Sequence, residues 1–163
     1  MILQTDSTNE NIQKWGCYFV ILGGAVEKLA HRVIDDKLLT KVYDDCIQMG
    51  YIRTDCYILR PDMVMQVYAD VLGVEIEVQF LYKYKDGNKT IFIDKDFWIG
   101  NANFFASYFV IDTDNDHQID DENNGHFIET TGSGKIVFDP LGNSRAGNCG
   151  KIHSCRCFYV GKK

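Results

Sequence analysis

A cysteine at the boundary between a polar stretch and an apolar one is the first feature of this chain with chemistry in it. Trp15-Gly16-Cys17-Tyr18-Phe19 closes a segment rich in Asn, Gln, Ser and Thr and opens an apolar run. A thiol at a helix start faces unpaired N–H groups and the positive end of the helix dipole, and both favour the nucleophilic thiolate. Gly16 leaves space beside it for another backbone or a substrate. The alternative for such a residue is an inert thiol packed into the core. A nucleophilic thiol needs a base, and the chain has four histidines. His31 falls within the first apolar helix, His117 in an acidic run and His153 in a cysteine-rich loop. His126 opens Gly125-His126-Phe127-Ile128-Glu129, a strand pattern, followed by a Thr131-Gly132-Ser133-Gly134 turn and then Lys135-Ile136-Val137-Phe138-Asp139-Pro140. His126 and Asp139 therefore sit on adjacent strands of one hairpin and can face each other. A carboxylate there would fix the tautomer and orientation of an imidazole that takes the thiol proton. Pro140 ends the ladder just after Asp139, which suits a sheet edge.

In this order and spacing, Cys17, His126 and Asp139 resemble the nucleophile, base and orienting carboxylate of the papain-like cysteine peptidases. His126-Phe127-Ile128 followed by Val137-Phe138-Asp139-Pro140-Leu141-Gly142 is similar to the compact bacterial branch that includes the double-glycine leader peptidases. Gly16-Cys17-Tyr18-Phe19, Asp139-Pro140-Leu141-Gly142 and Gly150-Lys151-Ile152 with Arg156-Cys157-Phe158 resemble small phage and bacterial proteins of that fold. The resemblance spans residues 13 to 160, and each motif is short, so its specificity lies in their order. It implies acyl transfer at a peptide or isopeptide bond, with a peptide or protein substrate such as a cell-wall peptide and no cofactor needed for the chemistry. Two departures stand out. The leader peptidases carry Gly directly after the nucleophile, whereas here Gly16 precedes it and Tyr18 follows. Their oxyanion Gln lies about six residues before the Cys; here Asn11 has that spacing, Gln13 lies four before and Gln4 thirteen before. Gln13 is the expected oxyanion donor, beside the Cys17 backbone N–H.

A second constellation lies just ahead of His126. Asp112, Asp114, Asp116 and Asp120 place oxygens at positions 1, 3, 5 and 9 of a calcium-loop template, with Gln118 between them and Ile119 at the usual apolar eighth position. Against Ca2+, His117 occupies the place of the turn-forming Gly, Asn123 that of the closing Glu, and a strand precedes the loop where EF-hands have a helix. Two readings stand: a hard-cation site of Asp112, Asp114, Asp116, Gln118 and Asp120, or a solvated acidic loop. At the other end, Cys149, Cys155 and Cys157 with His153 have poor spacing for structural zinc. Cys155 and Cys157 share one face of a final strand, which suits core packing.

The elements that must position these residues follow from periodicity. Residues 1–16 read as a polar, irregular segment. Phe19, Val20, Leu22, Val26, Leu29 and Val33 recur at helical spacing, with Gly23 and Gly24 permitting close packing on a neighbour. Further helices fit Leu38 to Met49, stopped by Gly50, and Pro61 to Leu72, stopped by Gly73. After Gly73 the period becomes two: Val74, Ile76, Val78 and Phe80 alternate with Glu75, Glu77 and Gln79. A turn at residues 86–88 leads to a strand at 90–93, with later strands at 104–111, 126–131, 136–138 and 156–160. Helices first and an antiparallel sheet after give an α+β class, and the resemblance makes it papain-like. The whole of 1–163 reads as one domain carrying an acidic insertion at 112–123.

Composition bounds the partners. Net charge is −6, from 17 basic against 23 acidic residues, and six of the acids lie between Asp112 and Glu122. Without those six, acids and bases balance, so no basic surplus exists for a phosphate backbone and nucleic acid is not an expected partner. No apolar run reaches the roughly 18 residues needed to span a bilayer. The first residues lack a signal-peptide pattern, so a cytoplasmic protein with free thiols is expected. Two other function classes fit the same residues: a non-catalytic binding module on this fold, and a thiol acyltransferase.

Overall fold

A side-chain cap starts the first helix where the sequence shows no period. The Asn9 carboxamide oxygen accepts from Asn11 N at 3.0 Å and Ile12 N at 3.2 Å, satisfying two of the orphan donors of α1, Glu10–Trp15. In the computed structural model, which describes residues 1–85, 103–111 and 125–163, a 3-10 turn at Gln4–Asp6 precedes it. Residues 1–16 are thus ordered rather than irregular, a correction to the sequence expectation. With Ile12 the one buried side chain of α1, there was no periodicity to see.

The chain divides into two compact units, Met1–Gln79 with Val160–Lys163, and Phe80–Tyr159. In the first, Gly16 caps the end of α1 and begins α2, Cys17–Ala30: its N–H donates to Ile12 O at 2.8 Å and its carbonyl accepts from Val20 N at 2.8 Å. A Cβ at Gly16 would lie 2.5 Å from Ile12 O and 2.8 Å from Ile12 Cα, so only glycine fits between the helices. Every residue from Tyr18 to Val26 is buried. α2 is therefore apolar all round, a central helix rather than the one-faced stripe expected from the sequence. It also ends earlier. His31 lies beyond the last helical residue in the left-handed conformation (φ 52°), and Val33 is 72% exposed. The Glu27 carboxylate accepts Ile34 N at 2.6 Å and turns the chain away from the helix axis.

α3, Asp36–Gln48, is capped by the Asp35 carboxylate on Leu38 N. α4, Pro61–Leu72, has Pro in its first turn and a left-handed Gly73 at its end, as the sequence indicates. Gly23 lets α2 approach α4 until a Cβ there would sit 2.7 Å from the Tyr68 ring. Tyr68, fully buried, donates its hydroxyl to Phe19 O at 3.1 Å, and the two rings lie 5.2 Å apart. Burial of a side chain such as Phe19 stabilises by about 1.5–3 kcal/mol. Between α3 and α4 a small hairpin is closed by the Ile52–Ile58 bridge, with Cys56 left-handed at φ 59°. The Tyr43 hydroxyl donates to Thr54 O at 2.6 Å in that hairpin and accepts from Asn11 Nδ2 at 3.2 Å, joining α1, α3 and the hairpin.

The sheet has the order β1-β5-β2-β3-β4, from strands β1 Ile76–Lys85, β2 Asn103–Val110, β3 His126–Thr130, β4 Ile136–Phe138 and β5 Lys151–Lys162. With five α-helices among the described residues, the class is α+β. β2 pairs antiparallel with both β3 and β5, in registers that include Tyr108↔Phe127 and Phe105↔Cys157. β5 starts at Lys151 rather than Arg156, because Lys151 to Cys155 pair through the backbone without an apolar alternation. Phe109, Ile111, Ile128 and Ala146 form a buried cluster in the second unit, with Ile152 packed on it. Ala146 comes from α5, Arg145–Cys149, a short helix that the sequence pattern did not reveal.

The 86–88 turn, the 90–93 strand and the whole acidic run, with Asp112, Asp114, Asp116, His117, Gln118 and Asp120, lie outside the described residues. Among the described residues no helix is long and apolar enough to cross a membrane.

Candidate active site

β3 and β4 set the central pair. In their register Glu129 faces Phe138, so Asp139, the next residue, comes level with Ile128 and His126 becomes its diagonal neighbour on the same face. The His126 Nε2 and Asp139 Oδ1 atoms are 2.7 Å apart. The ladder stops there because Asp139-Pro140-Leu141-Gly142 turns: Gly142 N donates to Asp139 O at 2.8 Å and Gly142 adopts φ 78°. The turn aims further donors at the carboxylate. Leu141 N donates to Oδ1 at 3.0 Å and Ser144 N to Oδ2 at 2.9 Å.

These contacts decide the charges. Burial pushes the Asp139 carboxyl up, but hydrogen bonds from Ser144, His126 and Leu141 outweigh it and hold the group below the usual carboxylate range. Burial pulls His126, only 5% exposed, below the ordinary imidazole value, and the Asp139 hydrogen bond and charge offset part of that. At neutral pH the pair is thus a carboxylate and a neutral imidazole. A carboxylate can only accept, so Nε2 carries the imidazole proton and Nδ1 keeps a basic lone pair. Nδ1 has no hydrogen-bond partner among the described residues.

Cys17 belongs to the first unit, as the first residue of α2, and is half-buried. All six cysteines are described and none is in a disulfide. Burial pushes Cys46 and Cys56 up to about 12, with the Cys17 charge adding to the effect at Cys56. Burial also raises Cys155 and Cys157. Those four are protonated and enclosed at neutral pH, hence poor nucleophiles, while Cys17 and the exposed Cys149 are accessible. Cys155 and Cys157 pack in the sheet core, facing Ser107 and Phe105 of β2.

The amides ahead of Cys17 are differently engaged from the sequence expectation. Gln13 is exposed, and its carboxamide donates to Thr5 O at 3.2 Å, an orphan carbonyl of the 3-10 turn, rather than standing ready beside the thiol. Gln4, buried at 3% exposure, donates Nε2 to Gln13 O at 3.0 Å, and its Oε1 has no partner among the described residues. Asn11, six residues before Cys17, donates to Tyr43. Ser144 was not singled out in the sequence, although a Ser directly after a Pro-Leu-Gly-Asn turn has the form of a helix cap. Among the described residues no group of three or more His, Cys, Asp or Glu is placed to hold a metal ion.

A family model described as "Protein of unknown function, DUF261" matches residues 1–160, and the chain belongs to that family. No curated protein and no solved structure matches it.

Proposed function

We propose that this DUF261 chain is a papain-like cysteine peptidase or amidase, in which Cys17 is the nucleophile, His126 the base and Asp139 the group that orients it. The observation that carries the reading is the buried His126–Asp139 pair at 2.7 Å, which leaves a neutral imidazole with Nδ1 basic. The reading requires the Cys17 sulfur to reach that nitrogen. The reaction then divides between the residues. His126 Nδ1 takes the Cys17 proton and the thiolate attacks the carbonyl carbon of a peptide or isopeptide bond. The Cys17 backbone N–H stabilises the oxyanion, joined by Gln13 once its carboxamide exchanges Thr5 O for the substrate oxygen. The imidazolium gives its proton to the leaving amine, leaving a thioester on Cys17. His126 then deprotonates water, which attacks the thioester and restores the thiol. Throughout, Asp139 stabilises the imidazolium without itself taking the proton.

Alkylation by iodoacetamide, with each thiol followed by mass spectrometry, tests the assignment. Cys17 reacts fast at a pH where an ordinary thiol does not, and the fast phase disappears in His126→Ala, while Cys149 reacts at an ordinary rate in both proteins. Equal rates at Cys17 and Cys149, unaffected by His126→Ala, would remove the enzymatic reading and leave a binding module. Incorporation of an amine instead of water into the product would mark an acyltransferase.

A further inference from the structure

We infer that Gln4 is a positioning residue for Cys17: its buried carboxamide ends α1 and lets α2 begin afresh with Cys17 at its N-terminus. Its catalytic consequence rests on the reaction proposed above; its effect on the junction does not. Two successive carbonyls show how the helices are parted. Ile12 O accepts from Gly16 N at 2.8 Å, as in a continuing helix. The next, Gln13 O, would in an unbroken helix belong to Cys17 N, four residues on. Gln4 Nε2 donates to that carbonyl at 3.0 Å. The break follows at Gly16, whose ψ of 10° departs from the helical value of about −42°.

The donor comes from a turn anchored on α3. Gln4 is 3% exposed and belongs to the 3-10 turn Gln4–Asp6. Just after that turn, Ser7 Oγ and Thr8 N both donate to Asp36 Oδ1, at 2.9 and 3.0 Å. Gln13 returns the contact: its own carboxamide donates to Thr5 O at 3.2 Å, so turn and helix are clasped by two hydrogen bonds of opposite sense. A carbonyl only accepts, so Gln4 turns Nε2 and not Oε1 toward Gln13 O. The last carbonyls of a helix need such outside donors, and a carboxamide supplies one without bringing a charge to the junction. A helix that starts at Cys17 sets the thiol against the positive end of its dipole. An α1 running on into α2 would carry that positive end back to Glu10, about 10 Å away.

Gln4→Met keeps the length of the side chain and removes the donor. Gln13→Met removes the clasp to Thr5 O and leaves the Gln13 carbonyl, with its Gln4 hydrogen bond, in place. Both are compared with the parent by iodoacetamide alkylation of Cys17 across pH, with Cys149 as the internal reference. Gln4→Met slows Cys17 about threefold at neutral pH and moves the midpoint of its pH profile upward, as the loss of a helix N-terminus requires. Gln13→Met leaves the Cys17 profile at the parent's, and Cys149 is the same in all three proteins. A parent-like Cys17 profile in Gln4→Met, or equal slowing in both variants, would overturn the inference. Should Gln4→Met not fold, hydrogen exchange in the parent decides. The Gln4 carboxamide protons exchange about a hundredfold more slowly than those of the exposed Gln13, and equal rates overturn the inference. A Cys17 rate indifferent to His126→Ala but slowed in Gln4→Met would defeat the reaction and leave the positioning role standing.

Discussion

His126 and Asp139 each carry a stability term whose sign follows from the direction of their shifts. The folded chain holds His126 below its ordinary value of 6.5, so at mildly acidic pH the unfolded chain binds this proton more readily. Stability is full above the unfolded value and declines as the pH falls toward the folded one. Asp139, also held below its ordinary 3.8, stabilises the fold above that value and loses the contribution as the pH drops through its folded pKa. The two terms act in the same direction but in separate windows, so the first loss on acidification belongs to His126. His126→Gln keeps a donor toward Asp139 and removes the titration. The melting temperature of the parent should fall from about pH 7.5 to about pH 5.5, and that of His126→Gln should fall distinctly less. Equal slopes would mean that folding does not hold His126 below its ordinary value. Asp139→Asn probes the same pair from the other side. Because the Asp139 hydrogen bond and charge both raise the His126 pKa, removing the charge should move the imidazole titration to lower pH, read from its ring carbon protons.

The junction of α1 and α2 decides where Cys17 stands, and it depends on one missing side chain. The atoms a Gly16 Cβ would strike are the carbonyl and Cα of Ile12, backbone of the preceding turn, which cannot rotate away. Gly16→Ala should destabilise the protein by about 1–3 kcal/mol, the range for overpacking a closed site, measured by urea unfolding. A loss within a few tenths would show that the two helices splay freely. What the sequence conveyed about such elements depended on their length and chemistry. α4 was legible at both ends, because Pro61 and Gly73 punctuate it by backbone geometry that survives any tertiary setting. β3 and β4 were legible because a Gly-containing turn separates two apolar runs, and that hairpin brought His126 and Asp139 into view together. α1 and α5 escaped, since helices of 6 and 5 residues offer too few positions to show a period and rest on Asn9 and Ser144 caps. The end of α2 escaped for another reason. The apolar spacing continues to Val33, but a left-handed His31 and the Glu27 contact to Ile34 N turn the chain first, so tertiary geometry overrides the pattern.

At the scale of the molecule, the charge that marks the sequence as acidic is concentrated at residues 112–122, and the rest of the chain is balanced. His126 and Asp139 belong to the second unit and Cys17 to the first, so the proposed triad was read from the order of motifs and not from any local pattern. Whether the units behave as one domain is a question of cooperativity, and the cysteines supply a probe in each. Cys46 and Cys56 are buried in the first unit, Cys155 and Cys157 in the second, and all four have thiols raised by burial. β1 and β5 run through the division, with Ile76 to Gln79 and Val160 to Lys162 on one side and the rest of each strand on the other. The Glu75 carbonyl accepts Lys163 N at 3.0 Å, so the first unit holds the far end of a strand that begins in the second. Melting either unit therefore breaks strands that the other also uses, and a single transition follows. With Cys17 and Cys149 blocked beforehand, pulsed alkylation across a urea gradient should expose Cys46, Cys56, Cys155 and Cys157 at one common midpoint. Two midpoints, one for each pair of cysteines, would make the units separate folding domains.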